Sequence, residues 1–540
     1  MSTHLLCPTK GSDPLPMWSG FEISTNGLGS DPFVGQSTTH LTSKRSRFQF
    51  SHAVLLIVGL MLSNHRPAAA DVFTIQEDDG NKVSIEARVA GEGQGVVALE
   101  RTDGRIEVVP LGQILQRQPG PDPEPMTPTA VMERLAERFG RDKFRGHADS
   151  TYVIGLILSE PLQKQYESKA TLMLKKGTDF MKLVEKEFLE FIEDVKVETV
   201  KPRYPLVLLI FETDDDFIKY TTEASGGRGL SAANILGYYS GLTNHLVVRM
   251  SECSTFSTPL HEAIHQQVYN RGVLQRLSAA PAWFNEGIAT GFEGGERINT
   301  GPLKVNSRYA RNAMRARNVD WDDVVADDRA FRGDVLAGEA YAHAWSIHWF
   351  LITKYRKQYI EYLQVLGQKP PLQKDDAQTR IDDFERVFGK RIGKLQSEFP
   401  QALEVAANKQ KVSLEPATSP GVLVVQSNLA EVGITAARTV NGPMQAEGWM
   451  RNISHLRPMS YHITVETESG AYAEWFLPNV APSKNKIQLS KQVAQKQMQN
   501  SPGGPSSKFV VHVRAAVPDS ETGQQWKRGQ LPVPVFSEFR

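Results

Sequence analysis

Two segments place the rest of this chain: Thr258-Pro259-Leu260-His261-Glu262-Ala263-Ile264-His265-Gln266 and Pro281-Ala282-Trp283-Phe284-Asn285-Glu286-Gly287-Ile288-Ala289. Histidines four apart project from one face of an α-helix, a single turn from each other. One Zn²⁺ can accept both imidazoles, with Glu262 beside it to handle a proton. A catalytic zinc also needs a third protein ligand and an open position for water. Glu286, on what reads as the next helix, is the candidate for that ligand; the alternative is a surface charge on a short helix. Thr258-Pro259 supplies an N-cap and a proline at the first helical position. Leu260, Ile264 and Val268 form an apolar stripe, and Asn270-Arg271-Gly272 is a helix stop. Ala280-Pro281 starts the second helix. Gly287 and Gly291 are poor helix formers, so close approach to a partner helix sharing the metal is the expected reason for them.

These two segments resemble the gluzincin metallopeptidases, and more narrowly their peptidase-MA-like branch, which includes many secreted bacterial proteins. The resemblance covers about residues 150 to 400 and is carried by the two motifs. It implies that His261, His265 and Glu286 bind zinc and that Glu262 is the general base acting on a peptide or protein substrate. Thermolysin-like gluzincins place an acidic residue four positions after the third ligand. Here that position is Thr290, so support for a ligand histidine must come from another group or from a backbone carbonyl. Related enzymes take a donor for the substrate oxyanion from a Tyr or His of a later helix. Ala340 to Phe350 opens such a helix, and Tyr341, Ala344, Trp345, His348, Ile352 and Tyr355 share one of its faces. Core packing accounts for most of this stripe. Tyr341 is set apart as the candidate donor, with His343 and His348 behind it. The resemblance also implies a small sheet ahead of the first motif whose edge strand holds extended peptide; residues 245–250 are the expected edge.

Composition frames this reading. The 540 residues, 40% hydrophobic and 23% charged, are those of a soluble chain long enough for several domains. A formal net charge of zero gives no reason to expect nucleic acid or an anionic membrane as partner. The two cysteines, Cys7 and Cys253, suggest no thiolate metal site, and loss of the N-terminus would leave Cys253 alone. Lys44-Arg45 and Arg47, the apolar run Ala53 to Leu62 and the small residues Pro67-Ala68-Ala69-Ala70 read as an export signal ending before Asp71. The run is too short for a stable transmembrane helix. The expected location is the periplasm, the cell envelope or the exterior, with an uncleaved N-terminal membrane anchor as the alternative. No lipobox cysteine follows the run.

After Asp71, Val83, Ile85, Ala87 and Val89 alternate with polar residues, a turn is read at Gly91 to Gly95, and Asp103-Gly104 joins Val96–Leu99 to Ile106–Val109 as a hairpin. This stretch resembles the small SH3-like barrel of the Sla1 homology domain, which implies binding or spacing. Pro119-Gly120-Pro121-Asp122-Pro123-Glu124-Pro125 reads as a stiff linker. Helix is expected within Glu160–Val195, a strand at Tyr204–Phe211, a short helix near Phe217, and a hairpin of 235–239 with 245–250 across Gly241. Gly226-Gly227-Arg228-Gly229 lacks the lysine and serine of a phosphate loop. From about Ser413, with Pro416 and Pro420 marking a junction, strands are expected at 421–426, 461–466, 472–477 and 509–515, and Lys491–Asn500 reads as a polar insertion.

The expectation is therefore a multidomain α+β chain. An N-terminal extension and signal occupies 1–70, a small β-barrel-like module 71–117, a proline-rich linker 118–128, a zincin-like α+β catalytic domain 129–412 and a β-rich accessory domain 413–540. Its expected activity is that of an exported zinc-dependent hydrolase, a peptidase. The competing reading is a non-catalytic envelope scaffold that keeps a zincin lobe. Cleavage specificity and oligomeric state are not readable from the residues.

Overall fold

Alternating apolar and polar residues after Asp71 build a five-stranded antiparallel sheet, ordered β4-β3-β2-β1-β5. Its strands are β1 (Ala70–Gln76), β2 (Lys82–Gly93), β3 (Val96–Glu100), β4 (Ile106–Pro110) and β5 (Ile114–Gly120). Ile85, Ala87, Val97, Leu99 and Val109 point inward to a small core with Phe73. β2 continues through Gly91 to Gly93, so the turn lies later than expected, at Gln94-Gly95. Gly104, at φ +84°, makes the expected turn, where only glycine is comfortable. Pro119 and Gly120 pair with β1, so the linker starts after them.

The computed structural model describes residues 70–77, 80–224, 236–254, 257–293, 302–315, 319–331, 337–415, 423–427, 429–437, 445–467, 471–493, 495–496 and 509–532. The segment read as an export signal, at 44–69, the glycines at 226–229 and the prolines at 416 and 420 lie outside the described residues. No helix among those described is long and apolar enough to cross a membrane. The architecture is mixed α+β, with β-sheets toward both ends and helices concentrated centrally.

The central unit opens with α1 (Pro128–Phe139), capped by the Thr127 hydroxyl, then β6 (Phe144–Ala148), β7 (Tyr152–Ile157) and the long α2 (Glu167–Val195). There follow β8 (Leu206–Phe211), α3 (Asp214–Ala224), β9 (Gly237–Tyr239) and β10 (His245–Arg249). The sheet runs β6-β7-β8-β10-β9. Its middle strands β7, β8 and β10 are parallel and every one of their residues is buried, as expected of a sheet covered on both faces. Val153, Val207, Leu209 and Val247 face α1 and α3. Ile154, Leu208, Ile210, Leu246 and Val248 face α2 and the helix that carries His261 and His265. One expectation is corrected here. Residues 245–249 form an interior strand paired with both β8 and β9, and the edge strand on that side is β9.

Against this sheet packs α4 (Ser257–Asn270), which begins before the N-cap expected at Thr258 and stops two residues short of Gly272, at φ +72°, near the stop expected there. Gln266 ties it down by donating to the carbonyls of Val207 and Asn244, both at 3.1 Å. Then come α5 (Ala282–Phe292), α6 (Ser307–Arg315), α7 (Trp321–Ala326), α8 (Ala337–Lys354), α9 (Arg356–Gly367), α10 (Ala377–Phe388) and α11 (Ile392–Gln410).

The C-terminal part contains two four-stranded sheets. One comprises β11 (Leu423–Ser427), β12 (Ala430–Ala437), β13 (Gln445–Asn452) and β16 (Ile487–Val493). The other comprises β14 (Met459–Thr467), β15 (Ala471–Val480), β17 (Gln495–Lys496) and β18 (Phe509–Ala516), and α12 (Glu521–Lys527) follows. Within the expected polar insertion, residues 491–493 and 495–496 are strand rather than loop. Buried residues of both sheets belong to the same apolar core as α2, α4 and α5. The junction also carries a buried ion pair. The Arg457 guanidinium donates to Glu212, just past β8, and to the carbonyls of Glu160 and Pro161.

Candidate metal centre

The four-residue spacing on α4 sets the His261 and His265 rings with centroids 4.8 Å apart. α5 crosses against this face and inserts Glu286. Its Oε2 lies 2.9 Å from His261 Nε2 and 3.6 Å from His265 Nε2. One atom from each of the three residues falls within 4.8 Å of the others, a group that could hold a metal ion. Ligand atoms of a tetrahedral zinc sit about 3.3 Å apart, from bond lengths near 2 Å. The two distances from Glu286 bracket that value, and the donor set of two imidazoles and a carboxylate suits such an ion. All three residues are buried, so the site is one where charge is strongly felt.

The carboxylate missing at Thr290 is found elsewhere. Thr290 turns its hydroxyl back onto the carbonyls of Glu286 and Gly287. Glu293, immediately after α5, places Oε1 2.6 Å from His261 Nδ1. A carboxylate there makes Nδ1 the protonated nitrogen and turns the Nε2 lone pair toward the Glu286 side. Glu293 is itself held, since Tyr309 on α6 donates to its Oε2 at 2.8 Å and Asn306 donates to its carbonyl. The signal existed in the sequence. Seven residues are nearly two full helical turns, so Glu293 continues the face of Glu286.

The charges are mutually consistent. Burial disfavours a charged His261 ring, yet hydrogen bonds to Glu286 and Glu293 outweigh it and hold the His261 pKa well above the ordinary value. Burial would raise Glu286, but the adjacent His265 and His261 pull it down to about 2. Metal-free, the site therefore keeps a proton between two carboxylates. Burial, aided by the Glu286 charge, raises the Glu262 pKa, while His261, His265 and the Tyr239 N–H oppose it. That N–H belongs to the edge strand β9 and donates to Glu262 Oε2 at 2.9 Å. A backbone donor leaves no mark in the side-chain pattern, so sequence reading had no access to it.

Tyr341, on α8, enters the same site. Its ring centroid is 6.1 Å from that of His261, and its hydroxyl feels the charges of Glu286 and Glu262. Burial first, then the charges of Glu286 and Glu262, drive its pKa well above the ordinary tyrosine value, so it remains a donor. The two histidines ranked behind it are engaged in the core. His343 Nδ1 accepts from Trp321 Nε1 at 3.2 Å. His348 Nε2 lies 2.6 Å from the Tyr359 hydroxyl, and burial depresses the His348 pKa to about 3.

Two further features fix α5. Asp328, far along the chain, accepts from the Ala282 N–H at 2.9 Å and is gripped by both terminal nitrogens of Arg380. This satisfies a free donor at the helix start. A Cβ on Gly287 would lie 2.7 Å from the Ala344 carbonyl oxygen and 2.9 Å from His348 Cβ. The glycine thus serves a close approach, but to α8 rather than to the helix carrying the histidines. Gly291 meets Pro302 in the same way, at 2.6 Å.

A family model described as "Protein of unknown function (DUF1570)" matches residues 255–373. The match begins just before α4 and takes in His261, Glu262, His265, Glu286, Glu293, Tyr309 and Tyr341. No curated protein matches the chain.

Proposed function

We propose that this protein is a zinc-dependent hydrolase, and that its substrates are peptides or proteins. The observation that supports this most is the convergence of His261, His265 and Glu286 on one small volume, with Glu262 between the histidines and Glu293 behind the first of them. The gluzincin resemblance of both motifs gives the reaction class. Zn²⁺ in that volume would supply Lewis acidity, lowering the pKa of a coordinated water and polarising a substrate carbonyl.

The chain's own residues do the rest. Glu293 holds His261 in the tautomer that offers Nε2. Glu262, its pKa raised by burial, accepts the proton of the attacking water and returns it to the leaving amine. The Tyr239 N–H fixes the Glu262 carboxylate during that exchange. The Tyr341 hydroxyl, beside Glu286, donates to the oxyanion as it forms. We also read residues 44–70 as an export signal and the N-terminal sheet as the SH3-like module. N-terminal sequencing of exported protein should then begin at or near Asp71, whereas a start upstream of Lys44 on a membrane-bound product would favour an anchor.

The test is metal analysis joined to cleavage of an unbiased peptide library. Protein lacking residues 1–70 should bind about one zinc per chain. Glu262→Gln should keep that zinc and lose two to four orders of magnitude in turnover, roughly 3–5 kcal/mol in barrier. Equal cleavage by both proteins would defeat the mechanism. Absence of zinc uptake, or a zinc-loaded wild type that cleaves nothing, would favour the scaffold reading.

A further inference from the structure

The N-terminal sheet grips the part of the central sheet that touches Glu262. The β9–β10 turn, residues 240–244, projects toward the β3–β4 hairpin of that sheet. The Ile106 N–H donates to the Leu242 carbonyl at 2.6 Å. Arg276, beyond α4, sends one nitrogen to the carbonyls of Gly104 at 2.7 Å and Gly241 at 3.2 Å, bridging the two hairpins. Its other nitrogen pairs with Glu100 on β3, which also accepts from the Tyr204 hydroxyl at 2.9 Å. Arg276 and Glu100 are both nearly buried.

A three-residue edge strand paired on one side has little stability of its own. α4 secures one end of the hairpin, through bonds from Asn270 and Gln266 to Asn244. Among the described hydrogen bonds, the carbonyls at its tip are taken by Ile106 and Arg276. We propose that the N-terminal β-module is a positioning element of the catalytic site. Through Glu100, Arg276 and Ile106 it fixes the β9–β10 turn, which keeps the Tyr239 N–H on the Glu262 carboxylate. The catalytic part of this inference rests on Glu262 being the general base.

The bland alternative is an interdomain contact that adds stability and nothing else. The double variant E100Q/R276M separates the two, because it removes the bolt without stranding either charge. Amide hydrogen exchange is followed residue by residue in the zinc-loaded protein. The Tyr239 amide should exchange at least about tenfold faster than in wild type, while the α4 amides stay protected and zinc stoichiometry is unchanged. Gln94→Ala, which cuts only the module's separate contact to the Leu372 carbonyl, should leave Tyr239 unaffected. On a peptide cleaved by wild type, kcat should fall on the order of tenfold to a hundredfold at unchanged KM, as for a small misplacement of a catalytic group. Should the double variant fail to fold, Arg276→Lys keeps the ion pair but lacks the fork that reaches Glu100 and the two carbonyls at once, and the same exchange is read. Wild-type protection at Tyr239 in either folded variant overturns the proposal. Faster exchange with unchanged kcat overturns its catalytic part, and a wild type that cleaves nothing strikes the peptidase reading without touching the exchange result.

Discussion

Removing the Glu293 carboxylate should weaken metal binding in a pH-dependent way. Glu293 lies 2.6 Å from His261 Nδ1 and is itself pinned by Tyr309, so Glu293→Ala takes away both the acceptor and the anchored orientation. Loss of such a supporting carboxylate typically costs tenfold to a hundredfold in affinity, about 1.4–2.8 kcal/mol. A second effect opposes the first. Glu293 is one of the groups that raise the His261 pKa, and below that pKa a metal must displace a proton. The wild type therefore begins to lose affinity at a higher pH than the variant as acid is added. Above the folded pKa of His261 no proton competes, and the full deficit of Glu293→Ala should be seen. As pH falls the two curves should converge. Competition against a chromophoric chelator, followed from alkaline pH down through the loss of affinity, measures this directly. Glu293→Gln keeps an acceptor oxygen without the charge and should fall between the two. Equal affinity of Glu293→Ala and wild type at high pH, or a deficit that widens toward acid, would refute the reasoning.

Tyr341→Phe should lower kcat by about ten- to a thousandfold with KM nearly unchanged, since a bond to the oxyanion strengthens only in the transition state. A lower melting temperature with normal turnover would instead assign the hydroxyl to packing alone. Gly287→Ala should destabilise the protein. The clash with the Ala344 carbonyl and His348 costs about 1–3 kcal/mol, and the better helix propensity of alanine returns at most about 1 kcal/mol. Calorimetry should show a lower melting temperature, and zinc affinity should drop with it because Glu286 is the adjacent residue; an unchanged transition would mean that α5 and α8 can separate freely.

The helices bearing the two motifs were readable because apolar stripes and stops act over a few residues, although α4 already runs from Ser257, ahead of the cap expected at Thr258. Pro281 and Gly272 mark their positions in the chain as they do in space. Glu293 could have been found by following the helix face two turns instead of one. Other parts were hidden for physical reasons. β7 is buried on both faces like β8, but its apolar run is broken by Gly155, so it shows neither the alternation of a strand nor the long apolar run that marked β8. The sheet edge could not be assigned, because which of β9 and β10 lies inside depends on pairing with β8, a contact with no local signature. Asp328 reaches Ala282 across 46 residues, and nothing near either of them announces the other.

The pair between Arg457 and Glu212 has a temporal meaning as well as a spatial one. Its members are separated by 245 positions, so a chain emerging from the ribosome has made the central strands long before the guanidinium exists. Until then the Glu212 carboxylate has the Ser159 N–H and hydroxyl as its remaining partners. Enclosing it in that state would cost several kcal/mol, the penalty of a buried charge without its counterion. The end of β8 is therefore favoured open to water, or with Glu212 protonated, until Arg457 arrives. The C-terminal sheets thus act as a completion signal, and a chain cut short before Arg457 should close the sheet on which α4 and its histidines rest less stably than the full chain does.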